Sequence, residues 1–198
     1  MGRWRVFYAD WQMECCGTPF SVGDEVSWPL LLDDADDVLG GGWSGELSEI
    51  AAAVETVSDE DGVIRVLRTD DGLVAALPGD PGGPGDPEGG SGGGNEEEGE
   101  EEGEDGGEDG TGPGPGRPVR RTGLLTVERH SAQWPETTGT VRTIHLVRQD
   151  FAETDPCSRT REPVPASRSL EAVDRSPKWF GEGLAGVLAE LEPPDPRT

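Results

Sequence analysis

Apolar and polar residues alternate over short runs of this chain, and the alternation predicts mostly strands. Trp4, Val6 and Tyr8 interleave with Phe7, Ala9 and Trp11, so Trp4–Trp11 reads as a strand covered on both faces. Gly17-Thr18-Pro19 punctuates it, Glu25–Leu32 reads as a second strand, and Asp33-Asp34-Ala35-Asp36-Asp37 as an exposed acidic loop. Leu47, Ile50, Ala51 and Val54 recur at helical spacing and predict a short helix between Ser44 and Ala53. Val54–Ser58, Val63–Thr69 and Leu73–Leu77 then form a meander, turning at Asp59-Glu60-Asp61-Gly62 and Asp70-Asp71-Gly72. Gly123–His130 and Thr140–Arg148 are further strands, and Cys157–Ser169 is a loop carrying Pro and Arg. Phe180, Leu184, Val187, Leu188 and Leu191 share one helical face, so an amphipathic helix is expected over Pro177–Leu191, started by Ser176-Pro177 and stopped by Pro193-Pro194. The sum is a mainly β (or α+β) fold: a small antiparallel barrel or rolled sheet with one or two peripheral helices.

Composition changes this picture at one place. Gly79–Gly116 holds 17 Gly, 5 Pro and 13 Asp or Glu with no apolar or basic residue. With no apolar surface to set against the entropy of ordering, it is expected to be disordered. It divides the chain into residues 1–78 and 117–191, with 192–198 as a disordered tail. Loop closure costs little more for a long insertion than for a short one, so both blocks are expected to share one sheet. The formal charge of −25 also localises. About half lies in the insertion, residues 1–78 carry −12, and the block after the insertion is neutral. Such a charge argues against nucleic acid and anionic membranes as partners. No apolar run is long enough to span a membrane. The first residues show no long apolar segment with a small-residue cleavage site, so no secretory leader is expected.

Three cysteines, Cys15, Cys16 and Cys157, point to free thiols in a reducing, cytoplasmic compartment. As strand residues, Cys15 and Cys16 would face opposite sides, which disfavours the alternative of a vicinal disulfide. A zinc site from Cys15, Cys16, Cys157, His130 and His145 lacks the paired spacing of structural sites. Cys16 with His130 or His145 is a conceivable thiolate pair. Gly181-Glu182-Gly183-Leu184-Ala185-Gly186 matches G-x-G-x-x-G but lacks the preceding strand and the acidic residue about 20 positions on, so no nucleotide or other cofactor is expected. Asp33, Asp34, Asp36 and Asp37 do not follow the EF-hand pattern. Arg117, Arg120 and Arg121 flank the acidic run, as gatekeepers or as an intramolecular contact for it.

The block from Asp10-Trp11-Gln12-Met13-Glu14-Cys15-Cys16-Gly17-Thr18-Pro19-Phe20 to Val22-Gly23-Asp24-Glu25-Val26-Ser27-Trp28 resembles the N-terminal signature of an uncharacterised family of GC-rich bacteria. Thr138-Gly139-Thr140-Val141-Arg142-Thr143-Ile144 resembles its second block. The resemblance covers about 25 residues and implies no activity, cofactor or catalytic residue. Val22–Val26 and Gly139–Ile144 are also similar to strand entries of SH3-like barrels, an analogy of fold alone.

Six of the eleven aromatic residues, Trp4, Phe7, Tyr8, Trp11, Phe20 and Trp28, fall within the first 28 positions. They read as core or as an aromatic groove. The groove would comprise Asp10, Trp11, Gln12, Cys15, Cys16 and Trp28. The expected function is that of a non-enzymatic binding module for a protein, peptide or small ligand. The alternatives are a small enzyme or metal-binding protein using Cys15 or Cys16, and an acidic segment acting as a decoy for basic partners. The sequence sets no oligomeric state.

Overall fold

In a computed structural model, residues 2–40, 42–58, 63–78, 118–130, 132–153, 161–164 and 167–194 are described. The acidic run at 79–116, the turn at 59–62 and Cys157 lie outside them. The elements are β1 (Trp4–Ala9), α1 (Asp10–Cys16), β2 (Glu25–Trp28), β3 (Leu30–Asp33), α2 (Ala35–Leu39), a 3-10 turn (Ser44–Glu46), β4 (Ser48–Ser58), β5 (Val63–Arg68), β6 (Val74–Ala76), β7 (Val119–Val127), β8 (Thr137–Arg148), β9 (Phe151–Glu153), β10 (Arg161–Pro163), β11 (Ser169–Val173) and β12 (Leu184–Glu192). Among the described residues the protein is mostly β, with two short α-helices.

Five strands, β7-β3-β6-β5-β4, close into a barrel because β4 returns to pair with β7. β7 does this by dividing its length: Val119–Gly123 face β4, and Leu124–Val127 face β3. A wing continues from β7 through β1, β12 and β8 to β11. β2 also lies on β8, with Glu25 opposite Thr140. The expected barrel is present, but one of its joints, β3–β6, is parallel, as is the pairing β1–β7 that attaches the wing. Strands from before and after the acidic run share the sheet.

β1 is covered on both faces, as its pattern predicts. Trp4, Val6 and Tyr8 enter the main core with Phe20, Trp28 and Leu125, while Phe7 joins Leu39, Trp43, Leu124 and Leu188 on the reverse face. Tyr8, Phe20 and Trp28 form an aromatic cluster, with Trp28 edge-on to both others at 5.5 and 4.9 Å.

The structure corrects several expectations. No helix follows Ser44: a 3-10 turn ends at Glu46 and β4 begins at Ser48. Ser48, Ile50 and Ala52 are buried while Glu49 and Ala51 are exposed, so the true period is two, and exposed Ala51 created the helical spacing. The C-terminal helix is instead β12. Val187, Ala189 and Leu191 pack into the main core and Ala185 and Leu188 into the cluster on the reverse face, and a run apolar on both faces satisfies any period. Gly186 settles the matter: its φ is +148°, and a β-carbon there would collide with the Tyr8 carbonyl. The strand expected over Glu25–Leu32 is cut by Pro29, which has no N–H for a ladder, so β2 joins the wing and β3 the barrel. The acidic loop contains α2, capped by the Asp34 carboxylate, which accepts from Asp36 N at 2.8 Å. β9, β10 and β11 were not anticipated; β10 lies within the expected Cys157–Ser169 loop. The strand expected to reach Trp11 ends at Ala9, where α1 begins.

Candidate functional site

The turn from β1 into α1 lifts residues 10–16 out of the sheet. Three contacts from distant parts of the chain hold the helix down. Gln12 is buried, and its Oε1 accepts from Arg129 N at 2.9 Å. Glu14 accepts from Phe180 N at 2.7 Å. Lys178 Nζ donates to the carbonyls of Met13 and Gly17, at 2.8 and 3.0 Å, satisfying the end of a helix whose last turn has no basic residue. Gly17 must be glycine for room: a β-carbon there would stand 2.6 Å from Met13 Sδ and 2.7 Å from Tyr8 Oη. These bonds explain the only lysine of the chain and the burial of Gln12.

The segment 128–130 lies against the helix. Arg129 Nε donates to Tyr8 Oη at 3.1 Å, and His130 N donates to Glu128 Oε1 at 2.6 Å. Burial pushes the Tyr8 phenol above its ordinary value, against the pull of Arg129. The His130 ring is thereby placed under Trp11, nearly parallel to it with centroids 5.1 Å apart. His130 Nε2 lies 3.3 Å from Cys15 Sγ and 3.3 Å from Cys16 Sγ. All three side chains are exposed.

Cys15 and Cys16 are joined by a disulfide. This corrects the expectation of free thiols on opposite strand faces. In α1 both side chains point to one imidazole. The histidine beside the cysteine pair is His130 and not His145, which sits in β8 opposite Leu188 and Ala172.

The start of α1 also borders a cleft of about 280 Å³. Phe7, Leu39 and Leu184 line it, with Asp10, Trp11 and Phe151 among its other walls. Asp10 accepts from Trp11 N at 2.7 Å, and partial burial raises its carboxyl above the usual value. Trp11 and Phe151 are 56% and 40% exposed, two of the few large apolar side chains left in water. Of the residues singled out from sequence, Asp10, Trp11, Cys15 and Cys16 therefore share one exposed surface. Gln12 and Trp28 are buried. Phe151, Arg129 and Lys178 escaped notice. An isolated aromatic between Asp150 and Ala152, and a lone lysine, were the available signals.

A larger cleft, about 670 Å³, opens at the barrel mouth beside Asp33, Trp43, Arg65 and Arg121. Burial raises the Asp33 carboxyl above its ordinary value, while its hydrogen bond from Thr126 Oγ1 lowers it. Among the described residues, no helix is long and apolar enough to cross a membrane.

Residues 2–193 match the model of a family described as "Family of unknown function (DUF6578)". No curated protein and no solved structure matches the chain.

Proposed function

The chain belongs to the DUF6578 family, and we propose that it is a non-enzymatic binding module of the cytoplasm that takes a protein or peptide segment in the cleft beside α1. One observation carries the reading: Trp11 and Phe151, both exposed, stand at the walls of an apolar cleft. Large apolar groups left together in water mark interaction sites. The size favours a peptide. At about 280 Å³ the cleft falls just below the range of roughly 300–1,000 Å³ used by small-molecule sites. It suits one apolar side chain, with Trp11 and Phe151 closing over its neighbours and Asp10 offering an acceptor.

A random-peptide library displayed on phage supplies the probe. Selected peptides are expected to share an apolar anchor and to lose about tenfold or more in affinity on Trp11→Ala or Phe151→Ala, a typical cost of removing an aromatic anchor. Selection of no consensus, or peptides that bind both variants as well as the parent, would overturn the reading.

A further inference from the structure

We propose that Cys15, Cys16 and His130 form, when the cysteine pair is reduced, a three-ligand site for a thiophilic d10 cation such as zinc(II) or copper(I). The site adjoins the peptide cleft through Trp11, whose ring stacks on His130, but its argument does not rest on that cleft being a peptide site.

The geometry comes first. Cysteine is among the residues most often buried, and a structural thiol normally packs in the core. Here two adjacent cysteines are exposed, and an imidazole nitrogen lies 3.3 Å from each sulfur. A tetrahedral zinc with Zn–S of about 2.3 Å and Zn–N of about 2.0 Å sets its S···N edges near 3.5 Å. The two S···N separations are therefore already close to those of a shared ion, although Cys16 and His130 are 114 positions apart in sequence.

The surroundings are built to hold that convergence. Glu128 fixes the backbone of His130, Trp11 stacks on its ring, and Gln12 ties Arg129, the neighbouring residue, to α1. Arg129 itself is turned away to the Tyr8 hydroxyl. Glu14 and Glu128 on the segments that carry the ligands are set against Lys178 at the end of α1 and Arg129 beside His130, so the donor atoms and not the local charge carry the site. A pair of thiolates with one imidazole is the soft donor set that selects zinc and copper(I) over calcium or magnesium. Because all three donors are exposed, a fourth position would face solvent, as in sites where the ion exchanges or takes an outside ligand.

The disulfide must open first. A thiol reductant transfers two electrons and two protons: the S–S bond breaks, two thiols form on Cys15 and Cys16, and two reductant molecules leave as their own disulfide. The two sulfurs then separate by side-chain rotation, and the cation displaces both thiol protons. In the oxidised pair neither sulfur is a thiolate, so the same reaction decides whether the site exists.

The test uses the full chain, reduced and metal-free under nitrogen. Titration with cadmium(II) reports thiolate ligation through its ultraviolet charge-transfer band, which the carboxylates of the acidic run cannot produce. Chelator competition with zinc(II) and with copper(I) ranks the two ions. One equivalent is expected to bind the parent and Cys157→Ser alike. Cys16→Ser is expected to abolish the band, and His130→Ala to weaken affinity about tenfold or more. Oxidation before titration is expected to abolish binding, and renewed reduction to restore it. Near-ultraviolet circular dichroism confirms folding of each variant, and His130→Gln serves if His130→Ala is not folded. A missing band in the reduced parent, or parental affinity in the His130 variant, overturns the proposal. Peptide selection on the oxidised chain remains independent of either result.

Discussion

Tyr8 and Trp11 stand on either side of the β1–α1 junction, and the protein uses them in opposite ways. Tyr8 is fully buried, edge-on to Trp28 and bonded to Arg129. Trp11 is 56% exposed and rests on a single imidazole. The region under β1 is a packed core, while the rim carried by α1 consists of side chains held in place but not enclosed. The difference follows from the change of backbone. A strand between two covered faces has no solvent side, whereas a seven-residue helix at its end must turn one face outward.

Substitutions on the two sides measure that contrast. Trp28→Ala has the largest expected effect: it empties the centre of the aromatic cluster and is expected to cost about 3–5 kcal/mol in chemical denaturation. A loss below about 1 kcal/mol would mean that the cluster is not the core it looks to be.

Asp33 lies between the extremes, half-buried at the barrel mouth. Its carboxyl is raised by burial above the usual 3.8, so the folded state holds that proton more tightly than the unfolded chain. The stabilising contribution is full below pH 3.8 and is lost as pH rises through the folded-state value. At pH 7 the buried charge is a cost, so Asp33→Asn is expected to raise Tm by a few degrees. That advantage should shrink as pH is lowered towards 4. An equal advantage at both pH values would show that the carboxylate is not the cause.

Trp11→Ala has the smallest expected effect, a stability change below about 1 kcal/mol, because only a ring pair and exposed surface are lost. A cost like that of Trp28→Ala would erase the distinction between core and rim.

Much of this architecture was legible along the chain. The faces of β1 and the strands β5, β6 and β8 follow from alternation and from turns such as Asp70-Asp71-Gly72. β12 was not legible, because over residues 185–189 both its faces pack into core and no polar face declares its period. β4 was obscured by one exposed alanine. At the site, Trp11 and the cysteine pair stood out by residue type, and His130 was one of two possible partners. What placed it was Arg129 bonding to Gln12 and Tyr8, contacts spanning 117 and 121 positions that no local pattern encodes.

The shared use of β7 also constrains how the fold is acquired. β7 lies after the acidic run, yet it closes the barrel against β3 and β4 and bears β1. β1 in turn pairs with β12, Trp4 meeting Leu191. A ribosome emitting this chain therefore releases its most aromatic stretch long before β7 and β12, the two strands that pair with β1, exist. Native topology of this kind, dominated by distant pairings, folds slowly and leaves apolar edges open in the meantime. The nascent chain must keep Trp4 to Trp28 from foreign company until its last strand has been made.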